Sequence, residues 1–126
     1  NQPMGYVSNS NDCNDNNGAL NLPPYLVTLN GVCYATIESA LAAASSGNTI
    51  QVEGNINSIG INTIPAGITV QINNGASWTN NMTLTNNGTI TEIGTGSFVN
   101  GPMGLYKGTG NFIGSFVNNG TANPGN

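Results

Sequence analysis

The amino-acid sequence predicts an all-β fold, a short parallel β-solenoid. Three observations carry that reading: apolar residues alternate with period two after Gly47, turn sequences recur as near copies, and charge is almost absent. Ile50 and Val52 alternate with Gln51 and Glu53; Ile68, Val70 and Ile72 alternate with Thr69 and Gln71; Met82 and Leu84 alternate with Thr83 and Thr85. Ile90, Phe98, Leu105, Phe112 and Phe116 continue the series less regularly. Short alternating runs of this kind are half-buried strands.

The turns make the strands into a series. Asn73-Asn74-Gly75, Asn86-Asn87-Gly88 and Asn118-Asn119-Gly120 are near copies, and Gly94-Thr95-Gly96-Ser97-Phe98 is echoed by Gly108-Thr109-Gly110-Asn111-Phe112. Ser97-Phe98-Val99-Asn100 returns as Ser115-Phe116-Val117-Asn118, a shift of 18. Imperfect self-similarity of this length predicts stacked coils, roughly four in the C-terminal part of the chain.

Charge is the third observation. Only Asp12, Asp15, Glu38, Glu53, Glu92 and Lys107 are charged; Arg and His are absent. Soluble domains usually carry roughly 25% charged residues, against 5% here. Polarity comes instead from 24 Asn, 18 Gly and 13 Thr. In stacked coils, equivalent side chains lie about 4.8 Å apart. Like charges repel at that spacing, whereas Asn and Thr can hydrogen-bond up the stack. Asn also tolerates the left-handed backbone that sharp corners demand. The competing architecture is a β-sandwich built from Asn-Gly hairpins.

At 126 residues the chain suits one domain with a modest core. Two regions are expected: an Asn/Asp-rich, disulfide-closed cap at 1–33, and a solenoid at 34–126 with a capping helix at 36–45. Ile37, Ala40, Leu41 and Ala44 give that helix one apolar face. Thr36 suits the N-cap, Glu38 the first turn, and Gly47 the C-terminal stop. Cys13 and Cys33 fit a disulfide in an oxidising compartment. Closing a loop of about 20 residues would stabilise by roughly 3 kcal/mol on the chain-entropy account.

One lysine makes no basic patch, so nucleic-acid binding through phosphate neutralisation is excluded. No apolar run approaches the roughly 18 residues that span a bilayer, so membrane insertion is not expected. The chain opens at Asn1 rather than Met and closes on a turn-like Asn123-Pro124-Gly125-Asn126. Both suggest a processed piece, or the ordered part of a longer protein.

Tyr34-Ala35-Thr36-Ile37-Glu38-Ser39-Ala40-Leu41, followed by Gly47-Asn48-Thr49-Ile50-Gln51-Val52, resembles the opening segment of pectate-lyase-like right-handed β-helix proteins. There a short helix caps the first coil and a G-D-T-I-x-V strand begins it. Pro65-Ala66-Gly67-Ile68-Thr69-Val70 resembles the P-x-G-I-T-V of the next coil. The resemblance covers 34–72 and implies a right-handed coil. Asn48 replaces the family's acidic residue, so no role of that carboxylate carries over. The later Asn-Asn-Gly-Thr strands resemble coils of bacterial surface adhesins.

The stretch Gly5-Tyr6-Val7-Ser8-Asn9-Ser10-Asn11-Asp12-Cys13-Asn14-Asp15 resembles the metal-binding repeat of bacterial secreted and cell-surface proteins. The second half departs from that pattern: Asn30-Gly31-Val32-Cys33 reverses part of the family's C-N-G order, and the acidic stretch after it is missing. Read as residues alone, Asp12, Asn14, Asp15, Asn16 and Asn17 concentrate oxygen donors. Ca²⁺ prefers such donors, and two carboxylates suit the weak extracellular class of site. Without His, and with no second Cys nearby, zinc and copper are disfavoured. The plainer alternative is a loop of Asx-turns with no metal.

Catalytic groups are few. No His is present to build a triad. Lyase chemistry of the resembling fold wants a basic residue, and only Lys107 is offered. Glycosidase chemistry wants paired carboxylates, but Glu53 and Glu92 lie 39 residues apart, which is about two coils or roughly 10 Å. The expectation is a protein that is not an enzyme. Trp78 is either a sugar-stacking platform or a core residue. Asn81, Asn87 and Asn119 open glycosylation sequons, though an Asn-rich chain yields such matches by chance. The function expected is a structural one, outside the cell or at its surface: a filament subunit or adhesin stalk stacking head-to-tail through open strand edges. A carbohydrate-binding surface module is the alternative.

Overall fold

The computed structural model describes residues 26–124. After a hairpin and a helix, the chain winds four times around a common core. The hairpin is β1 (Val27–Leu29) and β2 (Val32–Tyr34), followed by α1 (Ile37–Ala43). Coil 1 holds β3 (Thr49–Val52), β4 (Asn55–Asn57) and β5 (Asn62–Ile64); coil 2 holds β6 (Thr69–Ile72), β7 (Ser77–Asn80) and β8 (Thr83–Asn86). Coil 3 holds β9 (Thr89–Glu92), β10 (Ser97–Asn100) and β11 (Leu105–Gly108); coil 4 holds β12 (Asn111–Ile113), β13 (Phe116–Asn118) and β14 (Thr121–Pro124).

Each coil gives one strand to each of three sheets. The orders are β2-β1-β3-β6-β9-β12, β4-β7-β10-β13 and β5-β8-β11-β14, here sheets A, B and C. Every pairing between coils is parallel. The result is a right-handed parallel β-solenoid with one N-terminal helix, not a sandwich of hairpins. The one hairpin among the described residues is at their N-terminal end.

Alternation explains the core. In sheet A, Ile50, Val70, Ile90 and Phe112 stand in one column. In sheet B the column is Ile56, Trp78, Phe98 and Phe116, and in sheet C Leu84, Tyr106 and Ala122. The shift of 18 is the Phe98–Phe116 pairing. The other echo is not a stacking relation: Phe112 lies beside Ile90, not Phe98. Likewise the three Asn-Asn-Gly turns occupy three different corners: A to B at 73–75, C to A at 86–88, and B to C at 118–120.

Asparagine bonds up the stack as expected but does not supply the left-handed corners. Asn30 is the only non-glycine with positive φ among the described residues; the left-handed corners fall to glycines such as Gly67, Gly75 and Gly108. Corner asparagines instead point inward and satisfy backbone groups. Asn80 and Asn100 are fully buried. Asn80 Nδ2 donates to Asn100 Oδ1 at 2.9 Å, and Asn100 Nδ2 donates to Asn118 Oδ1 at 2.8 Å. At the next corner Asn86 Nδ2 donates to Tyr106 Oη at 3.0 Å, and Gly88 N–H donates to Asn86 Oδ1 at 3.0 Å. Buried amides matched in this way avoid the cost of unpaired polar groups.

The cap needs two corrections. First, the helix is Ile37–Ala43, shorter than 36–45, and its C-cap is Ala44 rather than a stop at Gly47. Asn48 Oδ1 accepts the Ser45 N–H at 2.7 Å, which draws the chain into a turn before another helical residue can form. Thr36 is the N-cap as expected, its Oγ1 accepting from Ser39 N–H at 3.1 Å. Second, the disulfide-closed cap at 1–33 is not established as part of the described fold: Cys13 lies outside the described residues, no bond between the two cysteines is found among them, and Cys33 is not a free thiol. What covers sheet A is the antiparallel hairpin, with β1 paired to β3 through Val27–Val52, Thr28–Gln51 and Leu29–Ile50.

Candidate functional site

The three described carboxylates are committed to the fold. Glu38, in the first turn of α1, reaches the loop between β4 and β5. Its Oε2 accepts from Ile59 N–H at 2.9 Å, Gly60 N–H at 3.0 Å and Asn62 Nδ2 at 2.8 Å, while Oε1 is buried without a hydrogen-bond partner. Glu53 ties the hairpin to the coils: Oε2 accepts from Thr28 Oγ1 at 3.3 Å, and Oε1 from Asn73 Nδ2 at 3.3 Å. Glu92 occupies the column of Val52 and Ile72, where alternation would place an apolar side chain. Its Oε2 accepts from Phe98 N–H at 2.8 Å and its Oε1 from Ser115 N–H at 2.7 Å. One carboxylate thus turns the chain at the A–B corner and joins coil 3 to coil 4.

Glu53 and Glu92 therefore sit along the solenoid axis at one corner, about two coil spacings apart, each held by its own donors. They do not form a facing pair across a bond to be cleaved. Lys107 is half-exposed on the outer face of sheet C, between Thr85 and Asn123 in register.

The other sequence candidates fall as follows. Trp78 is 0% exposed, and its Nε1–H donates to Ser58 Oγ at 2.9 Å. It packs edge-on against Phe98 at 5.2 Å, so the sugar-stacking assignment is corrected: no ring face is open to a ligand. Its place on the inward column of sheet B is the reason. Asn81, Asn87 and Asn119 are exposed at corners; Asn87 Oδ1 accepts from Thr109 N–H at 3.2 Å. Asp12, Asn14, Asp15 and Asn17 lie outside the described residues, as does Cys13. Among the described residues no group of three or more His, Cys, Asp or Glu could hold a metal ion, and no helix is long and apolar enough to cross a membrane.

The distinctive surface is the last rung. Strands β12, β13 and β14 have neighbours on one side only. Phe112, Phe116 and Ala122 continue the inward columns but are only partly buried, because no further coil among the described residues covers them. Phe116 stacks on Phe98 at 5.6 Å and meets Phe112 at 5.1 Å and Tyr106 at 4.8 Å. On the outer side, Ile113 is 58% and Val117 42% exposed. No charged residue lies between 108 and 126. Natural proteins usually protect such edges with charge, proline or a covering element.

The hairpin at the opposite end was legible but was missed. Asn30-Gly31 stands between Val27/Leu29 and Val32/Tyr34, and both turn residues have positive φ, 53° and 79°. That is the signature of a two-residue hairpin turn.

No protein-family profile matches the chain, and no match was found among curated proteins or solved structures. The likenesses to β-helix proteins and to the metal-binding repeat therefore rest on their short motifs alone, and no family is assigned.

Proposed function

We propose that this chain is a non-catalytic structural module of an extracellular or cell-surface protein, a rigid spacer that joins other β-structure through its C-terminal rung. The observation that carries this reading is the contrast between the two ends. At the N-terminal end, the hairpin extends sheet A and α1 is tied down by Glu38. At the C-terminal end of the described residues, three neutral strand edges are open, and two partly buried phenylalanines close the inward columns. An exposed, neutral strand edge is a template for pairing, and end-to-end stacking into a stalk or filament uses that template. The engagement of all three described carboxylates in structural hydrogen bonds supports a non-catalytic role. Burial of Trp78 removes the aromatic platform from the carbohydrate-binding alternative and leaves it only outward Asn and Thr side chains.

The test is sedimentation of the full chain over a wide concentration range, with an Ile113→Lys/Val117→Lys variant beside it. The reading expects association that the two lysines abolish. A chain that stays monomeric at every concentration overturns it. Calcium at Asp12, Asn14, Asp15 and Asn17 remains part of the proposal, as a weak extracellular site. Calorimetric titration of the parent against Asp12→Asn/Asp15→Asn checks it; equal heats from both would remove the site.

A further inference from the structure

Asn-Gly pairs occur in the described residues at Asn30, Asn74, Asn87, Asn100 and Asn119. Such a pair is open to cyclisation, because glycine brings its backbone nitrogen to the preceding side-chain amide with no Cβ in the way. The fold treats the pairs differently. At three of them the glycine N–H is held by a separate acceptor: Gly88 N–H donates to Asn86 Oδ1 at 3.0 Å, Gly101 N–H to Asn80 O at 2.8 Å, and Gly120 N–H to Asn118 Oδ1 at 3.2 Å. Asn100 is also fully buried.

At Asn74 the asparagine and its glycine share one hydroxyl. Gly75 N–H donates to Thr95 Oγ1 at 2.9 Å, and that Oγ1 donates to Asn74 Oδ1 at 2.9 Å. Thr95 N–H donates to the same Oδ1 at 2.9 Å. The backbone nitrogen and the side-chain carbonyl thus converge on one residue of the next coil. Gly94 permits the approach, since a Cβ there would collide with Asn74 Oδ1. Asn74, Gly75 and Thr95 are all exposed. They belong to coils 2 and 3, inside the described stack, so the arrangement depends on neither end.

We propose that Asn74 is a self-modifying site, at which Gly75 N attacks Asn74 Cγ and Thr95 relays the proton. Thr95 Oγ1 takes the Gly75 proton as it passes its own to Asn74 Oδ1, a general acid–base step of a kind that contributes about 10²–10⁴-fold. The Thr95 N–H stabilises the negative charge that develops on Oδ1. The N–Cγ bond forms and the Cγ–Nδ2 bond breaks; the proton delivered to Oδ1 ends on Nδ2, which leaves as ammonia. Water then opens the resulting five-membered imide at either carbonyl and leaves aspartate or isoaspartate at 74. The change adds a carboxylate to the A–B corner, which already holds Glu53 and Glu92, in a chain with only six charged residues. It is independent of the structural role proposed above.

The test incubates the full chain, Thr95→Val and Thr95→Ser under native conditions at neutral pH. Peptide mass spectrometry then follows amide-to-acid conversion at each Asn-Gly pair. Asn74 should convert at least about tenfold faster than Asn87; Thr95→Val should slow Asn74 by at least about tenfold and leave Asn87 unchanged, and Thr95→Ser should restore the rate. Buried Asn100 reports the fold: if it converts in a variant, the stack has opened, and the ratio of Asn74 to Asn87 in the parent decides. An Asn74 that converts no faster than Asn87 overturns the proposal. So does a faster Asn74 in folded Thr95→Val, which would make Thr95 a shield rather than a relay.

Discussion

Replacing Asn100 by Leu tests whether the internal asparagine column holds the coils together. The two side chains are similar in size, so packing is largely preserved and hydrogen bonding is removed. Asn100 Nδ2 donates to Asn118 Oδ1 at 2.8 Å, Thr121 O at 2.9 Å and Gly104 O at 3.2 Å, and Oδ1 accepts from Asn80 Nδ2 at 2.9 Å. Two amide hydrogens shared among three acceptors, plus the accepted bond, amount to about three full hydrogen bonds. At roughly 1 kcal/mol net each, the loss is about 3 kcal/mol. The figure is held down because neighbours retain partners: Asn80 Nδ2 keeps Met82 O, Asn118 Oδ1 keeps Gly120 N–H, and Gly104 O keeps Thr121 N–H. Against a total stability of roughly 5–15 kcal/mol, that loss is large. Urea unfolding followed by the fluorescence of Trp78, the only tryptophan, measures it. An Asn81→Ala control at the exposed side of the same corner should lie within about 0.5 kcal/mol of the parent. If Asn100→Leu does so too, the column is not what stabilises the B–C corner.

Other substitutions probe separate parts of the fold. Glu92→Ala removes the acceptor of two backbone N–H groups, and should cost about 3 kcal/mol at the 1.5–3 kcal/mol usual for bonds to charged groups; denaturant unfolding reads it. Glu38→Ala should release α1 from the β4–β5 loop with less effect on the coils, seen as faster amide exchange at Ile59 and Gly60 while residues 83–108 keep their protection. Gly108→Ala sets a Cβ against the Asn86 backbone at a φ of 115°, and should destabilise by more than about 2 kcal/mol through strain and displacement. A thermal midpoint equal to the parent's would refute that assignment.

The sequence carried the architecture through alternation, because a period of two along short strands survives any rearrangement of turns. Coil number followed from length. Pairing register did not: Gly94–Phe98 and Gly108–Phe112 are similar strings at different corners, and similarity between corners carries no information about which strands stack. The carboxylate roles were also hidden. Glu92 reads as an exposed residue beside Ile90, and only the three-dimensional corner brings Phe98 N–H and Ser115 N–H to it. Glu38 looked like a helix-dipole residue, and its chief partners lie 21 to 24 positions away. Trp78 was ambiguous because an aromatic residue between Ser77 and Thr79 fits either face of a strand until the register is known.

Peptide-resolved hydrogen–deuterium exchange at low and high protein concentration tests the role of the C-terminal rung most directly. If that rung is where the chain joins its partner, residues 111–124 become more slowly exchanging as concentration rises, while residues 49–86 are unchanged. Exchange that is independent of concentration along the whole chain would contradict the account.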